Sequence, residues 1–214
     1  MESKSAVQGP VRRSTRREQR EATRDHILLS AVAVLIECGV AGTTTLEVQK
    51  RSGVGRGTLL HHFPTHAELL SATVAELVRR NEVTVLREHR SAAPGVDPLA
   101  HAIVSLASAA ESPSYLAELE LWAVARADRQ LHAALRGPER AARAERDRVV
   151  AALFAPIAHL PGCATVIALT LELVRGIAVS GVLRSDTDHR HRLLRHWIDA
   201  ARLLLHQPPS EPAP

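Results

Sequence analysis

Apolar residues recur along most of the chain at spacings of three and four, which predicts helices almost throughout. The clearest example runs from Ile27 to Ile36, where apolar side chains build one face of a helix. No stretch shows a convincing alternation of apolar and polar residues bounded by hairpin turns. The pattern therefore predicts an all-α fold with essentially no sheet.

Local signals predict where these helices begin and end. Thr-x-x-Glu boxes start at Thr15, Thr44 and Thr65, and in each box the two side chains can satisfy backbone N–H groups that the first helical turn leaves unpaired. Prolines directly after Asp97 and Ser112 indicate two more starts. We expect breaks at 92–95, 137–138 and 160–162, and two final helices at about 163–184 and 189–206.

The window from Thr43 to Leu70 predicts a helix-turn-helix. A short helix is expected over 45–52, a turn over 53–55 and a second short helix over 56–62. Gly53 supplies the positive φ that such tight turns often need. In this motif the second helix enters the major groove of DNA. The inward positions are Val48, Val54, Leu59 and Phe63, which leaves Arg56, Thr58, Leu60, His61 and His62 pointing outward.

The charge of the chain changes this picture through its placement. The net charge is +4, and residues 1–66 hold ten Lys/Arg against six Asp/Glu, while the remainder is balanced. This asymmetry favours a nucleic-acid partner for the N-terminal third, with a solvated basic tail as the alternative. Two cysteines without paired spacing and the absence of a signal peptide fit a reducing cytoplasm. The apolar stretch at 163–182 contains Glu172 and Arg175, which favours a buried helix over a membrane span.

The stretch from Ile27 to Leu70 resembles the DNA-binding domain of the TetR/AcrR family of transcriptional regulators. The matching elements are the apolar face with Ala31, Glu37-x-Gly39, Thr43-Thr44, Arg51-Ser52-Gly53-Val54, Gly57-Thr58-Leu59, His62-Phe63-Pro64 and Leu69-Leu70. The resemblance implies a helix-turn-helix domain at 15–64 and a helical domain for effector binding and dimerisation at 65–207. The tails at 1–14 and 208–214 are expected to be disordered.

The resemblance also implies DNA contacts at named positions. Thr44 would offer its hydroxyl and backbone N–H to a phosphate, Arg56 would grip guanine with two hydrogen bonds, and the Thr58 methyl would touch thymine. The full expected set is Thr44, Thr45, Arg56, Gly57, Thr58, Leu60, His61, His62 and His66. As alternatives, Arg56 is a solvated surface charge, His62 packs beside Phe63, and Leu60 packs against the neighbouring helix.

Two positions depart from the family pattern. Leu60 stands where the family usually has Tyr, and His66 stands where it usually has Lys; both family residues contact phosphates. We therefore expect weaker sequence-independent DNA affinity, with a flatter dependence on salt. Basic residues of the N-terminal tail would partly restore it: Arg12, Arg13, Arg16, Arg17 and Arg20. The alternative is that His61, His62 and His66 compensate when protonated.

For the second domain the resemblance implies an internal effector site. A mainly apolar small molecule is expected, oriented by a few polar groups such as His101, Glu118 or Arg175. The expected lining is Leu106, Leu119, Trp122, Ala123, Val150, Phe154 and Leu173, each of which has plain core packing as its alternative. With only five aromatic residues in the chain, a large stacked site is not indicated.

The last two helices are the expected homodimer interface, since two helices from each subunit would form a four-helix bundle. One apolar stripe comprises Val166, Leu169, Thr170, Leu173, Val174, Ile177 and Gly181, and the other comprises Leu194, Trp197, Ile198, Ala201 and Leu205. The alternative is that both stripes face the subunit's own core.

These features together predict a cytoplasmic repressor that an effector releases from a palindromic operator. The alternative is a DNA-binding dimer without a ligand, whose helical domain serves only dimerisation or a protein partner. An enzyme is not indicated, because no nucleophile elbow, phosphate loop or HExxH motif occurs. His191 and His196 are five residues apart, a poor match for one helical face, so we expect no metal, and no cofactor.

Overall fold

The structure is a computed structural model that describes residues 15–90, 95–183 and 186–207. Its described residues are helical with connecting turns and contain no strand, as predicted. The tails at 1–14 and 208–214 and most of the break at 92–95 lie outside the described residues. The helices are α1 (Arg16–Gly42), α2 (Thr45–Ser52), α3 (Arg56–His62), α4 (His66–Arg90), α5 (Pro98–Ala109), α6 (Pro113–Ala125), α7 (Arg129–Phe154), α8 (Cys163–Gly181) and α9 (Thr187–Leu205).

The predicted capping residues begin these helices. Thr15 and Glu18 form a complete capping box at α1, and the Thr44 side chain accepts from the backbone N–H of Glu47 at α2. Thr65 accepts from the N–H of Glu68 in the same way. Gly53 ends α2 at φ 68°, the left-handed conformation expected for the turn. The boundaries of α2 and α3 therefore coincide with those predicted.

The predicted break at Gly137–Pro138 is wrong, because α7 runs through both residues. Pro138 lacks one backbone donor, and such a residue inside a helix usually costs about 3 kcal/mol. Here α7 packs along α4, and its buried residues Leu131, Leu135 and Ala142 lie on both sides of the proline in one cluster. Burial over this length offsets the local cost and keeps the helix continuous.

Three buried clusters hold the helices together. The first lies beneath α2 and α3 and includes Ile27, Val48, Leu59 and Phe63. The second joins α1 and α4 to α6 and α7, and the third joins α5, α7, α8 and α9. Because the second cluster contains residues of α1, the N-terminal helices are packed directly onto the helices that follow.

The prediction that α9 presents its apolar stripe to a partner is wrong. Leu194, Ile198, Ala201 and Leu205 are buried in the protein's own core, and the Trp197 indole N–H donates to Thr170 Oγ1 of α8 at 2.9 Å. On α8, Val166, Thr170 and Val174 face inward as well. The large apolar side chains left exposed on α8, on α9 and after α8 are Leu169, Val179, Val182, Leu183 and Leu203.

The prediction that α8 is a buried helix is also wrong, because its outer face is exposed. Only 28% of its apolar window is buried. By length and composition alone, α1 and α8 are the two described helices that pass a test for membrane spans, which is weak evidence because core helices pass it too.

Candidate DNA-binding surface and ligand cavity

Helix α3 presents its outer face to solvent. Leu59 is fully buried beneath the helix, whereas Arg56, Thr58 and His61 are exposed. The Arg56 guanidinium makes no hydrogen bond or ion pair with any described residue, and the first turn of α3 contains no acidic residue. An unpaired cation on a helix without carboxylates is suited to meet an anionic partner.

Contacts from α1 fix the position of this surface. Arg51 at the end of α2 makes two hydrogen bonds to the Glu37 carboxylate, at 2.6 and 2.7 Å. His26 Nε2 lies 2.9 Å from the Ser52 carbonyl oxygen. Both contacts join the C-terminal end of α2 to α1, so the helix that packs beside α3 is held in place.

The remaining predicted contact positions lie around α3. Thr44 and Gly57 are exposed, Thr45 and His62 are half-buried, and Leu60 keeps 38% of its surface exposed. His66 is exposed but places Nε2 2.5 Å from the Thr43 carbonyl oxygen. This contact joins the start of α4 to Thr43, the residue before the N-cap of α2, so His66 helps to hold the helix-turn-helix in place. All nine predicted residues lie in α2, α3 or at their flanks.

His62 differs electrostatically from its neighbours. Burial lowers its pKa, and the positive charges of His61, Arg20 and Arg24 lower it further. The Arg24 guanidinium lies over the Phe63 ring, 5.1 Å from its centroid. His62 is therefore biased to the neutral form in the free protein.

A cavity of about 670 Å³ lies between α4, α5, α6, α7 and α8. The structure places Leu106, Trp122 and Val150 on its wall, together with Glu118 and Arg175. The other predicted lining residues lie elsewhere: Phe154 is in the core, Leu119 and Leu173 are half-buried, Ala123 is exposed, and His101 bonds the His89 carbonyl oxygen.

The observed lining differs from the predicted one because α6 is rotated about its own axis relative to the prediction. Tyr115, Glu118, Trp122 and Ala125 face the cavity at spacings of three, four and three. The predicted face, with Leu119 and Ala123, lies one residue around the helix. Polar pairing explains this orientation, because the partners of Glu118 lie on the inner side and a buried carboxylate needs them.

A polar network crosses the cavity wall. Glu118 is 2% exposed, and its carboxylate accepts from Asn81 Nδ2 at 2.8 Å and from Arg146 at 2.7 Å. Arg146 also pairs with Glu139, which accepts from the Trp122 indole N–H at 3.3 Å. Burial raises the pKa of Glu118, and the nearby Arg146 opposes that rise.

Two polar atoms on the cavity wall have no partner. Glu82 Oε1 and Arg175 Nε are buried without a hydrogen bond among the described residues. Burial raises the pKa of Glu82, while Arg146 and Arg148 lower it. The Arg175 guanidinium also lies 5.2 Å from the centroid of the Trp122 ring. A buried unpaired group is costly, so these atoms mark where a bound molecule would gain most.

A second carboxylate of α6, that of Glu120, contacts the N-terminal helices. The Glu120 carboxylate accepts from the backbone N–H of Val40 at 2.7 Å. That N–H is free because Gly39 interrupts α1 with φ 70° and ψ −178°. One helix thus carries Glu118 into the cavity and Glu120 onto the kink of α1.

Sequence reasoning missed Asn81, Glu82, Glu139 and Arg146 in the cavity and Glu120 at the kink. One signal was available: Asn81 continues the buried stripe of Val74, Leu77 and Val85 on α4. A polar residue at a core position needs a polar partner. The identity of that partner depended on packing between distant helices. No cluster of metal-ligating side chains occurs in the part of the chain that the structure describes.

An all-helical chain with an exposed helix-turn-helix and a cavity among its later helices has the architecture of a helix-turn-helix regulator. Residues 27–80 match the family model of bacterial regulatory proteins of the tetR family. The match spans α1 from Ile27 onward, α2, α3 and the first part of α4, so over these residues the chain is similar to that family of regulatory proteins.

Curated relatives are similar to part of the chain. An uncharacterised HTH-type transcriptional regulator of Mycobacterium bovis, Mb2936c, is 28% identical over 117 residues, or 55% of this chain and 60% of the relative. The regulator CymR of Pseudomonas putida is 42% identical over 62 residues, 29% of this chain and 30% of CymR. The chain thus spans three fifths or less of the length of these relatives.

Solved structures share the fold over most of the chain. A transcriptional regulator from Rhodococcus sp. Rha1 has a TM-score of 0.60 at 21% identity and covers 87% of this chain and 99% of its own. The multidrug binding protein EbrR, complexed with imidazole, has a TM-score of 0.59 at 19% identity and covers 87% and 97%. At this level of identity the likeness concerns the fold.

Proposed function

We propose that this protein is a dimeric transcriptional regulator that binds a near-palindromic DNA operator through α3 and releases it when a small molecule enters the cavity. The observation that carries the proposal is the exposed outer face of α3, with an unpaired Arg56 and no acidic residue in its first turn. Arg can bond guanine O6 and N7 together in the major groove, and a helix presented in this way allows that contact.

Selection of bound duplexes from a random pool tests the DNA-binding part. The purified protein should recover one near-palindromic sequence. Arg56→Ala should abolish the preference at one position of each half-site and cost about 1–3 kcal/mol per bidentate contact. Arg140→Ala removes an equal charge from an exposed position on α7 and serves as the control. Recovery of no common sequence would contradict the proposal.

The exposed side of α8 and α9 supports a two-fold dimer. Leu169, Val179 and Leu203 are 45%, 56% and 71% exposed, and a Cβ added at Gly176 or Gly181 would meet no atom within 4 Å. Open glycines and exposed apolar side chains on these two helices allow close approach of a second copy. In such a dimer two recognition helices lie about 34–36 Å apart.

The cavity supports effector binding. Its volume of about 670 Å³ lies within the ~300–1,000 Å³ usual for small-molecule sites. Its wall combines apolar side chains with the unpartnered atoms of Glu82 and Arg175. EbrR was crystallised with imidazole, and EbrR structures with proflavin and ethidium share the same fold, so a compact organic molecule is the natural class.

Helix α6 offers a route from the cavity to the DNA-binding surface. A molecule that competes for Glu118 would disturb its bond to Asn81 on α4. A shift of α6 would also strain the hydrogen bond between Glu120 and the Val40 N–H. Both α1 and α4 flank the helix-turn-helix, so either change alters the separation of the two α3 helices. Such coupling commonly amounts to ~1–3 kcal/mol.

A thermal-shift screen of small molecules, followed by DNA-release assays of the hits, tests this part. At a hundred times its Kd a ligand stabilises the fold by about 2.7 kcal/mol. Val150→Phe fills the cavity and should lose this shift, while retained DNA binding shows that the variant is folded. If no compound acts, or if Val150→Phe responds equally, the alternative of a dimer without a ligand is favoured.

A further inference from the structure

The first turns of α1 project beyond the folded core. Helix α1 starts at Arg16, but its first buried residue is Ile27. Eleven residues of helix, about 16 Å at 1.5 Å per residue, therefore precede the core. A short helix that buries little surface is marginal in water. The capping box at Thr15 and the ion pair of Arg17 with Glu21 at 2.9 Å support it locally.

Charge is segregated around this projecting segment. Arg16, Arg20 and Arg24 follow one another at spacings of four, on the side of α1 that continues into Ile27 and Ala31. The acidic residues occupy the other side and are Glu18, Glu21 and Asp25. The side of α1 that is apolar from Ile27 onward is thus basic in the turns that precede Ile27.

Contacts show that this basic side faces the end of α3. The Arg24 guanidinium lies over the ring of Phe63, the residue that follows α3. Arg20 and Arg24 are close enough to His62 to lower its pKa. Arg16 and Arg20 are exposed and make no hydrogen bond or ion pair with described residues. The basic side is therefore continuous with the outer surface of α3.

We propose that the projecting turns of α1 are a second DNA-contacting element, in which Arg16 and Arg20 bind phosphates beside the groove that α3 enters. This inference rests on the proposed DNA-binding function. Phosphates are the fitting partner because Arg16 and Arg20 lie on α1, beside the helix that enters the groove, where the DNA backbone and not the base edges is within reach.

The contacts predict a change in salt dependence without a change in sequence preference. Each phosphate neutralised contributes about 0.9 to the slope of log K against log salt. Arg16→Ala/Arg20→Ala should therefore flatten the slope by about two per bound subunit. Alanine favours helix, so the substitution preserves the projecting turns.

Anisotropy titrations of the full chain between 50 and 200 mM salt test the proposal. A random-sequence duplex and a selected operator are the two probes, and helicity is checked by circular dichroism. Arg129→Ala/Arg140→Ala, two exposed arginines of α7, is the charge-matched control and should leave the slope unchanged. Equal slopes for wild type and the α1 variant would overturn the inference.

The outcomes separate this inference from the proposed function. If the wild type binds its operator specifically but the α1 variant keeps its slope, only the inference fails. A loss confined to one operator sequence would show base contacts and also overturn the phosphate assignment. If the wild type shows no preference for any duplex, the proposed function itself fails.

Discussion

The kink at Gly39 allows a quantitative test of how α6 is joined to α1. Gly39 has φ 70° and ψ −178°, a region that is essentially restricted to glycine and costs other residues about 1–3 kcal/mol. A Cβ at this position would lie 2.8 Å from Glu120 Oε1 and 3.1 Å from Oε2. Glu120 would have to move away, which costs its bond to the Val40 N–H, about 1 kcal/mol.

Gly39→Ala should therefore lower the free energy of unfolding by about 2–4 kcal/mol, the sum of the backbone strain and the lost bond. The assay is urea denaturation at fixed protein concentration, with Gly137→Ala as the control. Gly137 is a helical glycine whose Cβ would meet no residue other than its chain neighbours. The helix propensity of alanine and the crowding against Pro138 oppose each other there, so the free energy of unfolding should change by less than about 1 kcal/mol.

A double-mutant cycle isolates the contact itself. Glu120→Ala alone should cost about 1 kcal/mol, and in that background Gly39→Ala should cost only the backbone strain. The double variant should then be more stable than the sum of the single effects by about 1 kcal/mol. A loss below about 1 kcal/mol for Gly39→Ala, or strictly additive effects, would refute the reasoning.

Three further predictions concern DNA binding and assembly. Leu60→Tyr adds a phenol on exposed α3 and should tighten binding to all duplexes while leaving the salt slope unchanged, because a neutral donor releases no counterion; an unchanged affinity would show that Leu60 does not face phosphate. Leu203→Glu places a charge on the apolar outer face of α9 and should produce monomers in sedimentation, whereas Arg140→Ala should not; a dimeric Leu203→Glu would place the interface elsewhere. Because its pKa is lowered in the free protein, His62 is neutral at pH 8. The fold disfavours protonation of His62, so the free protein should lose stability as the pH falls. A nearby phosphate favours that protonation, so operator affinity should rise from pH 8 to pH 6, and His62→Gln should remove the rise.

The helix-turn-helix was predictable because its determinants are local. Thr44 caps α2, Gly53 takes the positive φ of the turn, and Val48 and Leu59 are buried as their spacing requires. Each of these residues acts on groups only a few positions away in the sequence. The exposed positions of α3 followed from the buried ones.

The cavity was only partly predictable because it is formed by long-range pairing. The apolar pattern of α6 placed Leu119 inward, whereas the bonds of Glu118 to Asn81 and Arg146 turn the helix by one residue. The same holds for α9, whose apolar stripe is equally compatible with an interface and with the core. Only the packing of α5 and α8 against it decides that Leu194 and Ile198 are internal.

Hydroxyl-radical footprinting of the protein on a selected operator tests most directly whether two subunits present α3 to one duplex. The account predicts two protected patches of equal strength, related by two-fold symmetry and centred about 10–10.5 base pairs apart. A single protected patch, or two patches without that spacing, would contradict it.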